Sequence, residues 1–404
     1  MRLNPHSFAF TLFLAAIGAL SPLAIDMGLP ALAPIARSLG TRPAMAGLTL
    51  SLFMAGFAIG PLAAGPLSDR LGRKRLLLAG LVLFALGGTL AALAPGIGWL
   101  LAARVVQGMG GGTNATLAYA IIRDLFSGRE AHRRIASVAV VSTTAPMVAP
   151  TLGALVLALA GWRAIYGLTA VLAMLVIVMV AFGLNETLAP VGRARGLLLP
   201  QLVADMLILA RNRTYVLCNG INALGFAAVF SYVSGSPLLV MGQLGVPQAQ
   251  YALLFAGTSF SIITGAFLNG RLAGWMAVPE RLLGIATALA LLADLVLLGL
   301  TLAHAITLPR LVPLLVAANL AFGLGAASAA HGALEPVPHQ AGVASGVLTT
   351  VQMVCGALSS FLVSALFPRL GTLAMTGTMT AFALASVLCC VALGRPAAQH
   401  PRPA

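Results

Sequence analysis

Apolar residues in this chain come in long unbroken blocks, not in the alternation of a half-buried strand or the three-and-four spacing of a surface helix. Twelve blocks can be drawn, at 8–29, 44–66, 76–94, 98–121, 134–158, 163–184, 214–236, 250–270, 282–303, 309–330, 342–367 and 372–393. Each is close to the roughly 20 residues that cross a bilayer as a helix. Hydrocarbon offers backbone groups no partners outside a helix or a closed barrel. The pattern therefore predicts an all-α membrane protein with twelve transmembrane helices. Length agrees, because 404 residues at about 34 per span and loop give roughly twelve spans.

The longest polar interruption, Asn185 to Arg213, falls midway and holds Glu186, Arg193, Arg195, Asp205, Arg211 and Arg213. It divides the chain into a six-helix bundle at 1–185, a cytoplasmic linker at 186–213 and a second bundle at 214–394, with 395–404 expected to be a disordered tail. Residues 197–209 of the linker are apolar enough to lie along the membrane surface as an amphipathic helix. A worn repeat supports the division: Gly65-Pro-Leu-Ser-Asp69-Arg-Leu is echoed by Gly265-Ala-Phe-Leu-Asn269-Gly-Arg271-Leu, each after the second span of its half. The first span resembles a secretory leader. It runs straight into Asp26 and a further span, however, and its loss would leave an odd number of helices, so it is read as a retained span.

Composition sharpens the class. The chain is 60% hydrophobic and 8% charged, against about 25% charged in soluble domains. A net charge of +14 would point to nucleic acid in a soluble protein, but here the bases belong to particular loops. With the N-terminus inside, 17 of the 23 Lys and Arg fall on the cytoplasmic side: Arg2, Arg70, Arg73, Lys74, Arg75, Arg123, Arg129, Arg133, Arg134, Arg193, Arg195, Arg211, Arg213, Arg271, Arg281, Arg395 and Arg402. Arg37, Arg42, Arg163, Arg310 and Arg369 fall outside, and Arg104 within a span. Short loops rich in Lys and Arg stay in the cytoplasm, which places both termini there. The four cysteines lie in apolar segments without CxxC spacing, so neither a metal nor a disulfide framework is expected. His331, Glu335 and His339 are interrupted by Pro336 and Pro338 and are read as a hydrated loop.

Charges inside spans are costly and mark function by default. Asp26 lies just before the outer end of span 1, Arg104 about six residues into span 4 from the same side, and Asp294 near the middle of span 9. At 1.5 Å per residue, Asp26 and Arg104 lie on the order of 10 Å below the outer face, so a buried Asp–Arg pair is allowed. Burial and a neighbouring guanidinium act in opposite senses on a carboxyl, which suits such a pair to proton coupling. For Asp294 a water-filled crevice and a contact with His304 are both open.

Three motifs carry a family resemblance. The loop between spans 2 and 3 reads GPLSDRLGRKR, with Gly65, Asp69, Arg70, Gly72, Arg73 and Lys74 in place. Span 4 reads LAARVVQGMGGG, with Arg104 followed by Gln107 and Gly108. Span 5 reads APMVAPTLGA, where Pro146, Pro150 and Gly153 predict a bend of antiporter type. The chain resembles drug:proton antiporters of the major facilitator superfamily, nearest to the bicyclomycin and chloramphenicol exporters, as IDMGLPALAPI, Arg123-Asp124 and AGVASG also indicate.

That resemblance implies two pseudo-symmetric bundles with a site between them near the midplane. It also implies a bacterial inner-membrane monomer that needs no cofactor beyond the proton gradient, and proton-driven efflux of small amphipathic drugs with Asp26 and Arg104 in coupling. Asp69 is expected to act as a gate, held against Arg73, Arg123 or a helix end of the other half. Candidate cavity residues are Gln107, Asn114, Tyr119, Asn222, Phe226, Tyr232, Asn319 and Gln352. Apolar walls with pliable methionines favour amphipathic drugs over sugars. Metabolite export or uptake on the same fold, and a membrane sensor or lipid scramblase, are the competing readings; no nucleophile–base pair or metal spacing supports an enzyme, and nucleic acid is not an expected partner.

Overall fold

A computed structural model of the chain describes residues 7–187, 198–272 and 279–394. Residues 188–197 of the linker, the 395–404 tail, and Arg2, Arg193, Arg195, Arg395 and Arg402 lie outside the described residues. The first half contains α1 (Phe8–Asp26), a short turn leading to α2 (Leu32–Ser38), α3 (Pro43–Leu71), α4 (Arg73–Ala92), α5 (Ile97–Leu125) and α6 (Gly128–Gly183). After the linker helix α7 (Leu198–Arg211) come α8 (Arg213–Ser236), α9 (Gln248–Leu272), α10 (Pro279–Leu302), α11 (Leu308–Leu334), α12 (Ala341–Leu370) and α13 (Thr372–Leu393).

Length and apolarity alone pick out ten candidate spans among the described residues, two fewer than the sequence pattern predicts, for two physical reasons. Helix α6 has 56 residues, about 84 Å at 1.5 Å each, far beyond a hydrocarbon core of about 30 Å. It is two spans joined at Gly161, whose φ of 78° and ψ of 176° break the helix at a conformation that glycine adopts without steric cost. Near its start, Arg134 donates to Ser7 O and, at 2.6 Å, to Thr11 Oγ1. Near its end, Ala181 O accepts from Lys74 Nζ at 2.8 Å. Both ends of α6 thus lie with the starts of α1 and α4, at what is called here the basic end, and Arg163 beside the break bonds Ala94 O at the opposite end. The second uncounted span is α5, whose arginine, glutamine, asparagine and glycines dilute its apolarity. Its glycines let it nest against neighbours: a Cβ at Gly108 or Gly112 would strike the backbone of Phe53 or Phe57 on α3.

Arg129 and Arg133, expected before the span 134–158, and Arg134, expected at its start, form the first turns of α6, and Arg134 is buried against Phe126. The linker does hold a helix with one buried and one exposed face: Leu209 of α7 is buried with Tyr215 and Ala333, and Asp205 accepts from Gln340 at 3.1 Å, while Val203, Leu207 and Ile208 are exposed. The two halves meet chiefly along α3 with α12 and along α6 with α9. On the first line, Thr350 Oγ1 donates to Ala58 O at 2.9 Å, and Met54, Phe226 and Gly356 converge where α3, α8 and α12 meet.

Candidate functional site

Arg104 is among the most buried side chains of the molecule, 1% exposed. Its guanidinium donates to Thr49 O on α3 at 3.2 Å, to Ala24 O on α1 at 3.1 Å and to Gln107 Oε1 at 2.5 Å. It stacks on Phe53 at 4.3 Å and lies 5.4 Å from the Tyr166 ring centre. Gln107 passes the network on, donating to Thr169 Oγ1 at 3.1 Å. A buried cation is sustained only if its donors are satisfied, and here carbonyls and aromatic faces satisfy them with no carboxylate. Arg104 therefore pins α1 and α3 to α5.

Asp26 shares that layer but not that contact. No ion pair within 4 Å joins Asp26 to Arg104 among the described residues, which corrects the expected pairing. Arg104 reaches into the first bundle, whereas Asp26, 5% exposed, lies within Coulombic range of Tyr232 on α8 and Tyr251 on α9 of the second half. Its carboxyl has no hydrogen-bond partner among the described residues. Those tyrosines are themselves anchored. Thr258 Oγ1 spends its only proton on Phe255 O at 2.9 Å, so the Tyr232 hydroxyl must be the donor in its 2.7 Å bond to Thr258. Tyr251 pairs with Ser236 at 3.0 Å. The aspartate thus sits almost out of water at the junction of the halves; four residues on, Pro30 lines a cleft with Arg42, Pro237 and Gln248, where Gln248 Nε2 approaches Pro30 O at 3.4 Å.

Helix α6 shapes this junction. Pro146 and Pro150 lie inside it, Pro150 buried, and a Cβ at Gly153 would run into the backbone of Met27. The proline segment of α6 therefore packs tightly on the residue after Asp26, and α6 as a whole also meets α9 of the second half.

At the basic end, Arg73 centres a network within the first half. It pairs with Asp69 at 2.7 Å and Asp124 at 2.9 Å, bonds Ser68 Oγ, and its backbone N–H donates to Glu186 Oε1 at 2.8 Å. Asp69 meets Arg73 as expected, but no ion pair crosses to the second half among the described residues. Instead a vestibule of about 430 Å³ opens there between the halves, with Asp69, Arg73, Tyr119 and Arg123 on one wall and Gly342, Gly346 and Thr349 on the other. Gly65 and Arg123 line it, Lys74 reaches α6, Gly72 joins α3 to α4 and Arg70 is exposed. Asn269, the counterpart of Asp69, is buried and ties α9 to α11 through Leu324 O and Ser328 Oγ, both at 2.6 Å.

The expected cavity residues separate into three groups. Tyr119, Phe226 and Tyr232 lie along the junction. Gln107 and Asn114 are inside the first bundle, Asn114 beside Gly80 of α4, and Asn222 and Asn319 line a cavity inside the second. Gln352 is partly exposed. Tyr251, Ser236, Thr258 and Tyr166 were not anticipated. Tyrosine is scarce, with 5 in the chain, and three of the five gather near Asp26 and Arg104, a signal available from composition only once helices are paired in space.

The signature of the Major Facilitator Superfamily matches residues 14–360. The chain belongs to this superfamily. Superfamily members are transporters, and the chain is a multi-pass membrane protein of that kind. It is 34% identical over 361 residues to the uncharacterized MFS-type transporter YdgK of Bacillus subtilis (strain 168), covering 88% of each chain. It is 29% identical to a bicyclomycin resistance protein homolog of Haemophilus influenzae, covering 96% of each, and 32% identical to the multidrug resistance protein MdtL of Shewanella sp. (strain ANA-3), covering 83% of this chain and 84% of that one. Among solved structures, the D-xylose-proton symporter shares the superfamily fold with a TM-score of 0.73 at 16% identity, covering 96% of this chain and 98% of that one. The inward-facing, occupied bacterial homolog of the lysosomal transporter Spinster gives 0.69 at 16%, covering 96% and 95%.

Proposed function

We propose that the chain exports small amphipathic drugs across the bacterial inner membrane in exchange for protons, acting as a monomer with both termini in the cytoplasm and the proton gradient as its energy source. The observation that carries this reading is a carboxyl group, Asp26, buried at the junction of the two halves with no cation within 4 Å among the described residues. An anion there would lack both hydration and a counter-ion, so a proton must accompany it while the junction is closed. Once the halves part and water enters, the proton can leave.

Alternating access links these states. With the basic end assigned to the cytoplasm, the vestibule beside Asp69 admits substrate, Asp26 gives up its proton to that side, and drug takes the apolar junction near Phe226 and Tyr232. Opening of the other end returns a proton to Asp26 and releases drug outward. Arg104 acts as a positioning residue, holding Ala24, two residues before the aspartate, against α5. The named resistance proteins among the relatives support small drug-like substrates.

Drug-susceptibility profiling in a pump-deficient host tests the reading. Wild-type protein is expected to raise resistance to bicyclomycin or other amphipathic antibiotics, and Asp26→Asn to abolish the gain. Equal sensitivity of empty, wild-type and variant strains to every compound would overturn drug export.

A further inference from the structure

Inside the second half, away from the junction, Asp294 of α10 is 1% exposed and its Oδ1 has no hydrogen-bond partner. It lines a cavity walled by α8, α10, α11 and α13, mostly by alanine and glycine, with Asn222, Thr287, Asn319 and Ser386 as its polar groups. The cavity has about 40 Å³ of room for water, enough for roughly three molecules at ~10–15 Å³ each. The wall holds no titratable or charged residue other than Asp294 from any of the four helices. His304 is exposed beyond the end of α10, so the contact considered from sequence is not made. The hydroxyls are already turned to backbone, Thr287 to Leu283 O at 3.0 Å and Ser386 to Ile221 O at 3.2 Å. The Asp294 carbonyl accepts from Thr380 at 3.1 Å, fastening α10 to α13.

A carboxylate in this position would be a bare charge. Of the species that neutralise it, a proton needs no shell of ligands, and a wall made mainly of methyl groups offers little of one. We infer that Asp294 is a second proton-carrying site, placed in the C-terminal half, loaded and unloaded through water in its own cavity as the helices around it shift. Asn222 and Asn319 are the polar groups that hydrate it. The inference rests on the proton-exchange reading and adds to it a second proton per cycle.

The test is the equilibrium gradient of radiolabelled bicyclomycin in proteoliposomes with a pH difference of one unit and the membrane potential clamped at zero. Each coupled proton supports about a tenfold gradient. Wild-type protein is expected to reach about 100-fold, and Asp294→Asn, an isosteric neutral replacement with wild-type elution and melting, about tenfold. Equal gradients in the two proteins, or a wild-type gradient that follows sodium instead of pH, would overturn the inference while leaving transport intact. A wild type that builds no pH-driven gradient would instead sink the exchange reading. In that case, or if Asp294→Asn does not assemble, infrared spectroscopy of Asp26→Asn protein decides. The carbonyl stretch of a protonated carboxyl is expected at neutral pH and should shift in Asp26→Asn/Asp294→Glu, and its absence would overturn the assignment.

Discussion

Replacement of Arg104 separates what this residue does for stability from what it does for transport. Three hydrogen bonds leave its guanidinium, to Thr49 O, Ala24 O and Gln107 Oε1. At about 1.5–3 kcal/mol for each bond to a charged group, their loss removes about 5–9 kcal/mol. Against that, methionine spares the several kcal/mol that a buried ion costs to desolvate, and Thr49 O lies inside α3, although Ala24 O, at the end of α1, loses its donor. Arg104→Met is therefore expected to lie within about 2 kcal/mol of wild type. Arg104→Ala meets the same balance but also leaves a hole between Phe53 and Tyr166, and should be less stable than the methionine variant by about 2–5 kcal/mol. Both should lose pH-driven transport, because Ala24 is no longer tied to α5. Thermal unfolding of purified protein in detergent, with flux in proteoliposomes, gives the two readouts. Equal instability of the two variants, or full pH-driven flux in Arg104→Met, would refute the reasoning.

Asp69→Asn is expected to abolish transport while changing stability by less than about 1 kcal/mol, since its pair with Arg73 is partly exposed; wild-type flux in cells expressing the variant normally would remove the gating role. Gly153→Leu forces a side chain into the Met27 backbone and should cost about 1–3 kcal/mol by overpacking and stop flux, as melting and uptake assays would show. Tyr232→Phe leaves Thr258 without its donor and should cost about 1 kcal/mol, with a reduced transport rate at unchanged expression.

Much of this architecture was legible in the hydrophobic pattern, because span length is set by the bilayer and basic loops by its sidedness. The exceptions are instructive. Helix α5 was drawn as the apolar block 98–121, yet length and apolarity alone do not mark it as a span in the structure, since the residues that give it a role are those that make it polar. The Asp26–Arg104 pairing was drawn from depth alone. Depth follows from counting residues, but facing does not: Ala24 and Asp26 are two residues and about 200° apart around a helix, so a guanidinium bonded at Ala24 need not meet the aspartate. The gate motif was read as a charge cluster, yet its partners Asp124, in the last turn of α5, and Glu186, just beyond α6, come from distant parts of the chain, which only packing brings together. Asn222 and Asn319 were placed in a cavity, but the cavity is internal to one bundle, a distinction of helix azimuth that a single sequence does not carry.

The account stands on Asp26 as the residue that trades a proton at the junction of the halves. Purified Asp26→Asn protein in proteoliposomes is the most direct test, comparing equilibrium exchange of labelled for unlabelled drug with uphill accumulation driven by a pH gradient. Exchange retained with uphill accumulation abolished is the predicted result. Uphill, pH-driven accumulation at the wild-type level would contradict the account.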